Sequence, residues 1–174
     1  MEYWVLYDLA TGADRVRGSG PIGSAALQSI PPGLGLVLVP AAALLGPELD
    51  LVVIRSWVAT QIDVAAEQLR QRFLTPGSGQ AMTYQRKETE ARAWQADQAA
   101  VTPFLTAEAA ARRMTLEALA AEVVAQADAW TSIGSAIEAA RMGAKAGLAQ
   151  TATLGAIVAA SAVDWEAVIA AAVA

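Results

Sequence analysis

Apolar and polar positions change their pattern near residue 55. Before it, apolar runs are short and broken by Gly and Pro. Residues 3–8, YWVLYD, are rich in aromatic and branched side chains and predict a strand. Leu9-Ala10-Thr11-Gly12 makes a turn, and residues 14–17 return as an antiparallel partner. Residues 24–29 read as one or two helical turns. Residues 34–39, LGLVLV, and 49–54, LDLVVI, predict two further strands, the first ended by Pro40. Together these make a small sheet of three or four short strands, which needs cover on one face.

After residue 55 the period becomes helical. Val58, Ile62, Ala65, Leu69 and Phe73 recur three or four apart and share a helix face, with Ser56 as the expected N-cap. The connector Thr75-Pro76-Gly77-Ser78-Gly79 cannot continue that helix, because Pro76 lacks a donor and the glycines reach positive φ freely. A second helix resumes near Met82 and folds back as a hairpin, with Glu88 and Arg92 at i, i+4. Val101-Thr102-Pro103 breaks the pattern, and a short helix follows over residues 106–113. Thr115 then caps a long helix with an apolar seam of Leu116, Leu119, Val123, Ala127, Trp130, Ile133, Ile137, Ala140, Ala144 and Leu148. Thr151 and Thr153 are weak breakers, and Asp164 caps a last helix over 165–173. The fold class expected is α+β, with a small antiparallel β-rich domain at 1–54 and an alanine-rich helical domain at 55–174.

Composition adds a reason for self-association. Hydrophobic residues are 55% of the 174, and the excess is mostly alanine, which buries little area per contact. One long helix cannot cover its own seam. It must pack on the preceding hairpin or on copies of itself. The second option makes Leu116, Leu119, Val123, Trp130, Ile133 and Ile137 the expected interface of a homo-oligomer.

Charge and candidate chemistry mostly exclude. A net charge of −5 argues against nucleic-acid binding, which needs a basic stripe to replace counterions. Six of the twelve basic residues lie between Arg55 and Arg92, interleaved with Asp63, Glu67, Glu88 and Glu90, and read as a solvated helix surface. With no Cys and no His, disulfides and thiolate or imidazole zinc sites are impossible. Gly18-Ser19-Gly20-Pro21-Ile22-Gly23 spells a dinucleotide-binding turn. Pro21 removes a donor, however, and the helix that follows is too short to hold a pyrophosphate. Pro76-Gly77-Ser78-Gly79 lacks any base to activate its serine. Glu88 with Glu90, and Asp164 with Glu166, stand two apart on different helix faces and read as structural charge. The tryptophans, Trp4, Trp57, Trp94, Trp130 and Trp165, fall one per element, as large anchors would. Residues 18–47 and 146–163 carry no Asp, Glu, Lys or Arg. Prolines cut the first, and the second has few large side chains, so neither reads as a membrane span. The N-terminus lacks the basic region of a secretory signal. Neither catalysis nor a cofactor is expected.

The order of parts resembles a known group. A YWVLYDLATG strand and turn precedes a Pro/Gly-rich apolar stretch, then RFLTPGSGQAMTYQRKETEA, then FLTAEAAARRMTLEALAAEV and an alanine-rich helical tail. This is similar to small tail-associated proteins of tailed bacteriophages, of the tail-fibre or fibre-accessory kind, over most of residues 1–150. The resemblance implies a structural virion protein made in the bacterial cytoplasm, partnered by tail hub or fibre proteins. It also implies three-fold self-association, because phage fibres are commonly trimers. It carries over no catalytic residue. An assembly factor for a fibre, absent from the finished particle, is the alternative.

Overall fold

The computed structural model describes residues 1–75 and 77–173, with the backbone alone for Ser78. It is an α+β protein: a three-stranded antiparallel sheet followed by helices, one of them long. Strands β1 (Glu2–Asp8), β2 (Asp14–Gly20) and β3 (Leu34–Leu38) lie in the order β2-β1-β3. Asp8 shapes the first turn, its Oδ1 accepting from the N–H groups of Ala10 (3.0 Å) and Thr11 (2.8 Å). Gly12 closes that turn at φ +72°, a conformation that suits glycine. Two glycines of the GxGxxG spelling, Gly18 and Gly20, serve packing, whereas Gly23 stands in open space at φ +95°. Gly18 lies opposite Trp4, and a Cβ there would stand 2.5 Å from the indole ring.

The strand expected over 49–54 does not form. Helix α1 (Leu51–Gln71) begins inside it, capped by Asp50, whose Oδ1 accepts from Val52 N–H (2.9 Å) and Val53 N–H (3.0 Å). Ser56, the expected cap, is within the helix. The β-branched run is ambiguous locally, and the i, i+4 burial of Ile54, Val58 and Ile62 decides it. Phe73, expected on the same face, falls beyond the helix and is exposed.

Helix α2 (Ser78–Ala96) starts earlier than Met82. Gly77 before it holds φ +121°, as the connector requires, whereas Gly79 is helical; Pro76 lies outside the described residues. Helix α3 (Pro103–Arg112) opens on the proline expected to break the chain. At the first helical position proline has no N–H to waste. Helix α4 (Leu116–Ala149) is the long one, and Thr115 Oγ1 accepts from Ala118 N–H (3.1 Å) as a cap should. Thr153 likewise caps α5 (Leu154–Ser161) by accepting from Ala156 N–H (3.2 Å), and α6 (Trp165–Ala172) follows.

The chain forms two compact units. The first joins Met1–Glu67 to Glu138–Trp165. Its core holds Val5, Tyr7 and Val39 from the sheet region, Ile54, Val58 and Ile62 from α1, Leu148 from α4, and Leu154 and Ile157 from α5. The units therefore do not part at residue 54, because the sheet takes its cover from α1 and from distant residues. The second unit runs over Gln68–Ile137 and includes the residues from Glu166 on. Ala91, Leu105, Ala109, Leu119, Ala120 and Val123 form its core.

Replacing Asp50 with Ala should destabilise the protein by about 1 kcal/mol through loss of the cap, while Ser56→Ala stays nearly neutral. Urea midpoints of the two variants check this, and equal midpoints would contradict the observed start of α1.

Candidate assembly surface

In the first unit, the side of the sheet that faces the helices carries Tyr3, Val5, Tyr7 and Val37. A groove of about 460 Å³ is left where β3 meets α1 and α5. Its wall is apolar. Val37 comes from β3, Trp57, Val58 and Ile62 from α1, Ile157 and Val158 from α5, and Trp165 from the start of α6. Gln61 and Ser161 are the polar side chains along it. Nothing in this wall is charged or nucleophilically activated, so the groove suits apolar contact better than bond chemistry. Trp57 and Trp165 are half-buried here, Trp94 packs on the core of the second unit, and Trp4 is buried, in keeping with their reading as anchors.

Beside the groove, β3 is an edge strand. Val39 N–H donates to Tyr3 C=O and Leu9 N–H to Gly33 C=O, both at 2.9 Å, at the two ends of its ladder with β1. Antiparallel pairs alternate, so Val37 and Gly35 bond to β1 while Leu36 and Leu38 turn their N–H and C=O groups outward. Ile22 (86% exposed), Leu27, Ile30, Leu38 and Leu45 (86%) are exposed apolar side chains within residues 18–47, the segment without a charged side chain.

The charged groups serve architecture. In the first unit, Asp63 on α1 accepts from Lys145 (2.7 Å) and Arg141 (2.6 Å) on α4, which also pairs with Glu138. Lys145 and then Arg141 hold the Asp63 carboxyl below its usual range, against the opposing effect of burial. Arg15 does the same for Asp8, with help from Thr11 N–H, and brings it down to about 2. In the second unit Glu90 departs from the solvated reading. Its side chain is only 3% exposed and caps α3 from α2, accepting from Phe104 N–H (2.9 Å) and Leu105 N–H (3.1 Å), while Arg86 pairs with its other oxygen. Lys87, also largely buried, reaches Glu108 at 2.7 Å and lowers that carboxyl's pKa. Glu88 pairs on the outside with Arg92, so Glu88 and Glu90 do occupy different faces. Periodicity alone gave no sign that Glu90 caps a helix more than ten residues away. Among the described residues no group of acidic side chains is arranged to hold a metal ion.

The seam of α4 points inward as its spacing predicts, and it is already covered within one chain. Leu119, Val123, Ile133 and Ile137 are buried, and Leu116 and Trp130 are half-buried. Leu119 and Val123 sit in the second core with Ala91 of α2 and with Leu105 and Ala109 of α3, of which only α2 belongs to the expected hairpin. Leu148, at the other end of the stripe, belongs to the first core. The stretch Leu154–Ala172 is long and apolar enough to cross a membrane by length and composition. It is divided into α5 and α6, and each of these eight-residue helices rises only about 12 Å, against about 30 Å of hydrocarbon.

No protein-family model, curated protein or solved structure matches this chain.

Two predictions follow from the charges. Glu90→Ala should cost about 1–3 kcal/mol, because it leaves two helix N–H groups without their acceptor, and Glu90→Gln should cost less. Urea denaturation compares them; an Ala variant as stable as wild type would remove the capping role. The second concerns acid. Asp8 titrates lower in the folded chain than in the unfolded one, so its stabilisation is complete above the ordinary carboxylate range and is lost as pH falls to about 2. Asp8→Asn should flatten that part of the stability profile, measured by urea midpoints between about pH 5 and about pH 2. An unchanged slope would contradict it.

Proposed function

We propose that this protein is a structural component of a bacteriophage tail, a short fibre or tail-tip attachment protein that acts through protein–protein assembly and not catalysis. The observations that carry the assembly reading are the exposed apolar side chains of the uncharged segment 18–47 and, within it, the open edge of β3 beside an apolar groove. Such a surface is what a protein keeps for a partner. The assignment to a phage tail rests on the resemblance of residues 72–91 and 104–123. These stretches supply Lys87, Glu90, Glu108 and Arg112, whose contacts join α2, α3 and α4 in the second unit. The resemblance thus concerns residues that build a folded unit together.

On this reading the partners are tail hub or fibre proteins and further copies of the chain. The protein is located in the virion after synthesis in the host cytoplasm, without a membrane span, a nucleic-acid ligand or a cofactor. The three-fold association implied by the resemblance is part of the same reading.

Mass spectrometry of purified phage particles tests the proposal. The expected result is peptides of this chain in stoichiometric ratio to known tail proteins. Their absence from particles, with the chain present in infected cells, would replace the structural role by that of a fibre assembly factor.

A further inference from the structure

We propose that the free edge of β3 is a self-association site, at which a second copy of this chain adds its own β3 across a two-fold axis centred on Val37. The inference goes beyond the tail reading and does not depend on it.

The backbone defines what the edge offers. Leu36 and Leu38 present their N–H and C=O groups away from β1, and no described residue bonds to them. The run stops on both sides. Leu34 N–H is already given to Pro31 C=O, while Pro40 has no N–H and its C=O accepts from Ala43 N–H. The usable edge is therefore centred on Leu36-Val37-Leu38, a sequence that reads the same in both directions. In an antiparallel pairing centred on Val37, Leu36 of one copy faces Leu38 of the other, and the reverse holds symmetrically. All the N–H and C=O groups of these two residues in both copies then bond reciprocally. This is the self-complementarity that a two-fold interface requires.

Charge points to the same occupant. The molecule carries a net charge of −5, which opposes self-association in general. Residues 18–47, however, place no like charge near the edge, and the edge lacks the lysines that commonly block strand pairing. The groove beside the edge has no charged residue in its lining either. A second copy brings Leu36 and Leu38 against the same residues, and Val37 beside Val37 on the groove side of the sheet. Leu38, already 43% exposed, gains apolar cover in the process.

Sedimentation of the full chain over a wide concentration range, with amide hydrogen exchange on the same samples, tests this. The expected result is a reversible monomer–dimer equilibrium, with protection at Leu36 and Leu38 that grows with concentration. Leu36→Pro removes an outward N–H that β1 does not use, so the edge strand tolerates it. It should weaken the dimer about tenfold or more, since each dimer loses two donors. Leu38→Lys alters an exposed side chain and serves as a second variant should the first fail to fold; it should weaken the dimer as well. A wild type that stays monomeric at all concentrations overturns the proposal. So does any oligomer, dimer or trimer, whose dissociation constant is unchanged by a folded variant. Protection of these amides by an added extended peptide, without self-protection, would assign the edge to a foreign strand and also overturn it.

Discussion

A sheet of three short strands cannot leave its apolar face in water, and the first unit is built around covering that face. Tyr3, Val5, Tyr7 and Val37 need a second layer. Helix α1 supplies part of it from the adjacent sequence. The end of α4 and the whole of α5 supply the rest, from a hundred residues further along. The tie is close: Gly155 N–H donates to Gly12 C=O at 3.0 Å, and a Cβ on Gly155 would stand 2.6 Å from the Gly12 backbone. The sheet is therefore completed only when most of the chain has been made. That ordering favours contacts of long sequence separation, whose loop-closure entropy must be met before they stabilise anything.

Polar groups in this protein act mainly as fasteners between helices. Asp63 holds two cations of α4 to α1, and Glu90 on α2 fills the N-terminus of α3. The second kind of contact weighs more, because an unfilled N–H buried at a helix start loses its water without gaining a partner. The exposed pairs, such as Arg92 with Asp128 and Arg72 with Glu166, contribute little beside it. Where charges are absent, in residues 18–47, the surface stays apolar and the edge of β3 stays open. Such a surface offers backbone groups and apolar side chains rather than charge.

The sequence by itself determined the class of the fold and most of its elements. Alternation and branched side chains located β1 and β3. The inward stripe of α4, with Thr115 as its cap, followed from spacing alone, since a face repeated over ten positions has one geometric solution. Uncharged residues 18–47 were equally plain. Local pattern failed where two readings have the same composition: LDLVVI suits a strand or a helix start, and burial of Ile54 with Val58 and Ile62 selected the helix. Tertiary structure alone decided what each apolar face touches. It buried Leu119, Val123, Ile133 and Ile137 of the α4 seam, and left β3 at the edge with the N–H and C=O groups of Leu36 and Leu38 facing outward. It also turned Glu90 from a surface charge into a buried cap. The physical reason is common to all of these. Periodicity says that a face must be buried, but the choice of partner depends on chain segments about a hundred residues apart.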